Sequence, residues 1–117
     1  MNKRTVGTEY ESRACAYLEE HGIRVLERNF RSRHGEIDII ALDGDTLVFA
    51  EVKYRRTNDL GYPQEAVTAS KQRTIMKTAA VYLMLRGLGE GTVCRFDVIA
   101  CYMNDEIRHF INAFGGM

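Results

Sequence analysis

Three residues with acidic and basic side chains are spaced so that they could do chemistry together. Glu51 and Lys53 lie two residues apart in a predicted strand over 46–54, and side chains of a strand alternate between its faces. Both therefore point to the same face, with Val52 on the other. Asp38 lies in the preceding predicted strand, over 35–42. A hairpin that turns at residues 43–45 would bring Asp38 alongside Glu51.

Two neighbouring carboxylates repel each other and raise each other's pKa unless a cation lies between them. A hard divalent ion such as Mg²⁺, which prefers oxygen ligands, would satisfy both. Lys53 would then orient or help deprotonate an attacking water while the ion neutralised charge on a phosphodiester. The alternative is an ordinary solvated charge pair on a half-exposed sheet. The apolar run at 47–50 counts against it, because burying charges at the end of an apolar strand costs free energy unless they have partners.

The surrounding elements follow from hydrophobic periodicity and turn residues. Thr8 and Glu11 fit a capping box for a first helix over 9–20. Strands are predicted over 23–30, 35–42, 46–54 and 95–102, a loop over 58–64, and a second helix from about residue 70 to the glycines at 87, 89 and 91. The type of the segment 106–114 stays open. The order α-β-β-β-α-β predicts an α/β fold in a single domain over 1–117.

Composition restricts the class of protein. The chain of 117 residues is 45% hydrophobic and 27% charged, which is typical of a globular domain and excludes a disordered one. It lacks the apolar run of a membrane span or a signal peptide, so we expect a cytoplasmic protein and no membrane partner. The three cysteines lack metal or disulfide spacing. Because 16 basic residues balance 16 acidic ones, a polyanion site must be a local patch.

The same residues carry a resemblance to a known family. The chain resembles the PD-(D/E)xK nuclease superfamily, and within it the YraN-like family of small bacterial proteins related to Holliday junction resolvases. The likeness rests on Gly35-Glu36-Ile37-Asp38, on Phe49-Ala50-Glu51-Val52-Lys53 with Arg55, on Gly7, Glu11, Ala14, Leu18 and Gly22 near the start, on Arg28-Asn29-Phe30-Arg31, on Glu65-Ala66-Val67 with Lys71, and on Arg95-Phe96-Asp97-Val98. It covers nearly the whole chain. Ile37 stands where the superfamily name has Pro, and the acid after it is retained.

The resemblance implies a restriction endonuclease-like fold, a central mixed sheet flanked by helices, and a site for Mg²⁺ in which Mn²⁺ could substitute. Asp38 and Glu51 would be metal ligands, Lys53 the catalytic lysine and Glu11 a further acidic ligand. A cap of the first helix is the rival role for Glu11, and Glu9 is the weaker alternative to it in the site. We place Glu36 on the opposite sheet face and expect a structural or supporting role for it.

Basic residues cluster on both sides of the acidic centre. They occur between residues 24 and 34, directly after the strand over 46–54, and in a segment, 66–89, that has no Asp or Glu. The predicted phosphate contacts are Arg28, Arg31, Arg55, Lys71 and Arg73. A solvated face of an amphipathic helix is the alternative for the last of these. The aromatic residues do not alternate with basic ones as in a stacking platform for single strands.

The sequence thus predicts a metal-dependent endonuclease that hydrolyses DNA, with branched DNA as one substrate. Symmetric cutting of a junction requires two sites related by a twofold axis and hence a homodimer. A module on the same fold that binds nucleic acid without cleaving it is the first alternative, and the intact set of Asp38, Glu51 and Lys53 counts against it. An interaction protein, the second alternative, would show neither metal affinity nor salt-dependent DNA binding.

Overall fold

The computed structural model describes residues 3–56 and 67–115, and the side chains from residue 7 onward. Over these residues the elements are α1 (Lys3–Glu20), β1 (Arg24–Ser32), β2 (Gly35–Asp43), β3 (Thr46–Arg55), α2 (Ala69–Leu85), β4 (Cys94–Tyr102) and β5 (Ile107–Phe114). Neither helix is long and apolar enough to cross a membrane.

The strands form one mixed sheet in the order β1-β2-β3-β4-β5. Only the β3–β4 pair is parallel, and the helix α2 lies in the connection between these two strands. The other neighbours are antiparallel. This confirms the predicted α/β fold, a central mixed sheet flanked by helices in the manner of restriction endonucleases.

Strict alternation along β3 divides the core between the two faces of the sheet. Leu47 and Phe49 pack in one cluster with Ile75 and Tyr82 of α2. Val48 and Ala50 pack in the other, with Leu18 of α1. Because both faces are covered by a helix, the centre of the sheet is apolar throughout, which explains the continuous hydrophobic run in this strand.

The site depends on a fork between β2 and β3. Their pairing runs from Asp43↔Thr46 to Ile39↔Ala50 and ends there, whereas β1 follows β2 to Ser32↔Gly35 and β4 follows β3 to Arg55↔Tyr102. At the fork the alternation of β2 also breaks, since Ile37 and Ile39 pack in different core clusters. Residues two apart on a regular strand would share a face. The two halves of the sheet therefore separate at Asp38.

Close packing against α2 fixes the start of β2. Gly35 has φ 153°, and a Cβ at this position would lie 2.4 Å from Thr74 Cγ2. Glycine is thus required both by the backbone conformation and by the approach of the helix. The contact holds the start of β2 beside the helix that carries Lys71.

Two predictions about element boundaries are corrected by the structure. The first helix begins at Lys3 rather than at residue 9, so Thr8 and Glu11 lie inside it and do not form a capping box. The undecided segment 106–114 is the strand β5, so the order gains a final strand. The predicted loop over 58–64 lies outside the described residues. Cys15, Cys94 and Cys101 are free cysteines.

Candidate metal centre

The fork places two carboxyl groups side by side. Asp38 Oδ2 accepts a hydrogen bond from the Val52 backbone N–H at 2.8 Å. This bond replaces the pairing of β2 with β3, which ends at Ile39↔Ala50. Glu51 lies next to Asp38. Burial, and then the neighbouring Asp38 charge, raise the pKa of Glu51 to about 7. Burial also raises the pKa of Asp38. The two carboxyl groups are therefore not easily ionised at the same time.

Two lysines flank Glu51 from different elements. Lys53 Nζ lies 3.8 Å from Glu51 Oε1, so the two side chains share one face of β3, as alternation predicts. Lys71 Nζ, from the first turns of α2, lies 3.9 Å from the same oxygen. Thr68 caps this helix by accepting a hydrogen bond from the Lys71 backbone N–H at 3.1 Å. The side chain of Lys71 is 42% exposed and can reach a ligand outside the fork.

Glu11 and Glu36 complete the acidic group on the other side of Asp38. One carboxylate oxygen from each of Glu11, Glu36 and Asp38 lies within 4.8 Å of the others. The predicted position of Glu36 on the opposite face is therefore wrong: residues 36 and 38 are two apart, so they share the face of the strand that meets Glu11 of α1. Burial, followed by the Asp38 charge, raises the pKa of Glu11. Glu9, the weaker alternative, is exposed on the helix.

The fork opens as a cleft of about 320 Å³ between α1 and β3. It is lined by Gly7, Tyr10, Glu11, Asp38, Glu51, Val52 and Tyr54. The three acids proposed as metal ligands thus face one space. Tyr10 and Tyr54 form its aromatic wall, and neither was among the predicted site residues. They lie 44 positions apart in the chain, so no local pattern joins them.

The predicted phosphate contacts divide into three groups. Arg28 and Arg31 form ion pairs with the acidic cluster, Arg28 with Glu11 at 3.9 Å and Arg31 with Glu36 at 3.2 Å. Lys71 pairs with Glu51, as described above. Arg55, at the end of β3, donates a hydrogen bond to the Tyr54 carbonyl at 3.3 Å, and Arg73 is exposed on α2. The structure therefore brings Arg28, Arg31 and Lys71 to the acids and leaves Arg73 on the outer surface.

Comparison with known proteins identifies the family. The model of the uncharacterised protein family UPF0102 matches residues 10–101, which include Glu11, Asp38, Glu51, Lys53 and Lys71. This chain belongs to the UPF0102 family. The chain is 49% identical over 114 residues to a UPF0102 protein of Lachnoclostridium phytofermentans, which covers 97% of the chain and 96% of that relative.

Two further UPF0102 relatives show the same breadth of similarity. A UPF0102 protein of Chlorobium chlorochromatii is 51% identical over 109 residues, or 93% of this chain and 83% of that protein. One of Geobacter sulfurreducens is 47% identical over 117 residues, or 97% of this chain and 91% of that protein. The similarity therefore extends across the whole fold and the candidate site.

The donor set of this UPF0102 chain fits a hard divalent cation. Every acidic group at the fork offers carboxylate oxygen, the kind of ligand that Mg²⁺ and Mn²⁺ take. Burial and the Asp38 charge raise the pKa of Glu51, and a cation between the two carboxyl groups would oppose that shift. Asp38, Glu51 and Glu11 are the residues that would hold the ion, and the position of Glu36 makes it a fourth candidate.

Proposed function

We propose that this UPF0102 protein is a metal-dependent endonuclease of the PD-(D/E)xK type that hydrolyses phosphodiester bonds in DNA. One observation carries the proposal: Asp38 and Glu51 lie side by side at the fork of the sheet, and Lys53 lies 3.8 Å from Glu51. The resemblance of these residues to the superfamily motif supports the same assignment. Mg²⁺, when bound, would supply positive charge to the phosphate and lower the pKa of a bound water.

Each residue has a distinct task in this proposal. Asp38 is held at the wall of the cleft by the hydrogen bond from the Val52 backbone. Glu51 is positioned by β3, which pairs with β4 at this residue. The Lys53 ammonium group would hold the attacking water and add positive charge beside the phosphate as the bond to the leaving oxygen breaks.

Basic side chains around the cleft would bind the DNA backbone. Lys71 is close enough to Glu51 to contact the reacting phosphate, whereas Arg55 and Arg73 would contact phosphates farther along the strand. Arg28 and Arg31 neutralise Glu11 and Glu36 in the metal-free protein and become available when those acids bind a cation. Symmetric cutting of a branched substrate would need two copies of the chain related by a twofold axis.

A cleavage assay with matched variants tests the proposal. Labelled four-way junction, flap, single-stranded and linear duplex DNA would be incubated with Mg²⁺ or Mn²⁺. Asp38→Asn should lose both cleavage and the rise in melting temperature on adding metal. Lys53→Met should retain that rise and lose cleavage by about a hundredfold or more, because only the transition-state contact is removed.

Asp45→Asn is the matched control. Asp45 is an exposed acid in the β2–β3 turn, at the other end of the hairpin from Asp38, so this variant should cleave like the parent protein. Cleavage that persists in Asp38→Asn would indicate a contaminating enzyme. Failure of the folded parent protein to cut any of the four substrates with either metal would overturn the proposal.

A further inference from the structure

Two tyrosines form a wall of the acidic cleft directly beside the residues proposed for chemistry. Tyr10 precedes Glu11 in α1, and Tyr54 follows Lys53 in β3. Both line the space shared by Asp38 and Glu51. Phe49 and Tyr102 of the core are fully buried, whereas Tyr10 and Tyr54 are only partly so. Tyr10 also packs against the core, so the side of the pair that faces the cleft is the part that a ligand would contact.

The two rings form a parallel stack. Their centroids are 4.3 Å apart and their planes differ by 22°. The Arg13 guanidinium lies 5.4 Å from the centroid of Tyr10 and adds positive charge to the pair. Such a pre-ordered aromatic surface, with a cation beside it, presents the features to which nucleobases stack.

The stack also has a structural role, because it joins α1 to β3. Tyr10 contacts the core cluster under α1, and loss of its ring would loosen the helix that carries Glu11. A test of any ligand must therefore use a readout that loss of packing alone would not change. The Tyr54 ring belongs to the strand, whose backbone is held by pairing with β4 through Arg55↔Tyr102, so Tyr54 is the better residue to vary.

We propose that the Tyr10–Tyr54 stack is a platform for an unpaired nucleobase next to the scissile phosphate. The proposal rests on the nuclease function proposed above and names its substrate class: DNA with unpaired nucleotides, such as a flap or a single-stranded branch. A base inside a duplex is stacked on both faces and cannot reach a side chain without unstacking. An unpaired base has a free face, and stacking on an aromatic ring tolerates any base.

A fluorescence experiment detects the stacking directly. Protein would be titrated into DNA that carries 2-aminopurine in a flap or at the matched position of a duplex. Ca²⁺ would be the metal, so that the fluorescence reports binding and does not depend on cleavage. The parent protein should quench the flap probe and bind the flap more tightly than the duplex. Tyr54→Leu should lose the quenching and about five- to a hundredfold of the affinity for the flap, with little change for the duplex. Tyr54→Phe, which retains the ring, should behave like the parent protein.

Two further variants separate this result from other causes. Arg55→Ala should weaken flap and duplex binding alike, since a phosphate contact does not distinguish them. The chain has no tryptophan, so Tyr54→Trp places a single fluorophore in the wall. Its emission should be quenched by flap DNA and not by duplex DNA. This variant tests the platform even where Tyr54→Leu fails to fold.

The outcomes distinguish the platform from the nuclease. Equal binding of flap and duplex by the parent protein, or an unchanged preference in a folded Tyr54→Leu variant, would overturn the platform. Unquenched Tyr54→Trp emission with bound flap DNA would do the same. Flap preference without cleavage under any metal supports the platform and contradicts the nuclease, whereas cleavage without flap preference contradicts only the platform.

Discussion

At the scale of single residues, Glu51 has the most unusual environment in the described part of the site. Its side chain is 8% exposed, and burial together with the Asp38 charge raises its pKa from 4.5 to about 7. Between these two values the folded protein holds a proton that the unfolded chain has released. The free energy of unfolding therefore falls as the pH rises through this window. Lys71 and Lys53 act in the opposite direction and limit the shift.

Replacing this carboxyl with a neutral amide should remove that pH dependence. Raising the pKa from 4.5 to about 7 corresponds to about 3 kcal/mol. With a chelator present, Glu51→Gln should therefore be more stable than the parent protein at pH 8, by up to about 3 kcal/mol, and similar to it below pH 4.5. Urea unfolding across this pH range measures the difference.

An exposed glutamate provides the comparison for this prediction. Glu20 ends α1 on the surface, so Glu20→Gln should leave the pH dependence of the parent protein unchanged. If Glu51→Gln retained the same decline in stability between pH 5 and pH 8, the proton would reside on a different group. Glu11 and Asp38, which also have raised pKa values, would then be the next residues to test.

At the scale of elements, an aspartate compensates for each of two breaks in the sheet. Asp38 accepts from Val52 at the fork, and Asp97 accepts from the Asn112 backbone at 2.9 Å where the β4–β5 register shifts. Asp97 is fully buried and also binds Arg95 at 3.1 Å and His109 at 2.7 Å. Burial would raise the pKa of Asp97, but hydrogen bonds from His109, Asn112 and Arg95 outweigh it and lower the pKa. The result is a buried polar network that joins β5 to the sheet.

Loss of the Asp97 charge should destabilise the sheet without affecting the cleft. Asp97→Asn leaves His109 with an uncharged partner in the interior and Arg95 with Asp43, 2.9 Å away, as its remaining carboxylate, and should lower the free energy of unfolding by about 3 kcal/mol. The rise in melting temperature on adding Mg²⁺ should persist, because Asp97 contributes no group to the cleft. Urea unfolding and thermal melts measure the two quantities.

The control for this network is again the exposed turn residue. Asp45→Asn should change stability by less than about 0.5 kcal/mol. A similarly small effect of Asp97→Asn would contradict the role assigned to the network. A loss of metal stabilisation in Asp97→Asn would mean that β4 and β5 also determine the geometry of the fork.

At the scale of the whole molecule, the charges cancel. The chain has 16 basic and 16 acidic residues, so DNA would be attracted by a local surface and not by the overall field. Five predicted phosphate contacts limit the salt dependence of binding. The logarithm of the binding constant should fall with the logarithm of salt concentration with a slope no steeper than about −4.5.

The slope identifies which basic residues contact phosphate. Arg55→Ala should make it shallower by about 1, measured by fluorescence anisotropy with duplex DNA in Ca²⁺. Arg24 starts β1 opposite Leu42, at the end of the sheet remote from the fork, so Arg24→Ala should leave the slope unchanged. Equal effects of both substitutions would indicate binding spread over the surface.

The sequence alone predicted how the residues at the centre of the candidate site are arranged. The hairpin of β2 and β3, the same-face placement of Glu51 and Lys53 and the approach of Asp38 to Glu51 all followed from alternation and from the turn at 43–45. The second helix followed from its periodicity. These features are encoded locally, because hydrophobic patterning and turn residues act over a few positions.

Other features were decided only by the tertiary structure. The edge strand β5 has a mixed, half-exposed pattern that no period describes, and its position depends on the buried network around Asp97. Glu11 met Glu36 and Asp38 because α1 packs beside the start of β2. Tyr10 and Tyr54 met across the cleft from a helix and a strand. Each depends on contacts between residues distant in the chain, and such contacts form only when whole elements pack together.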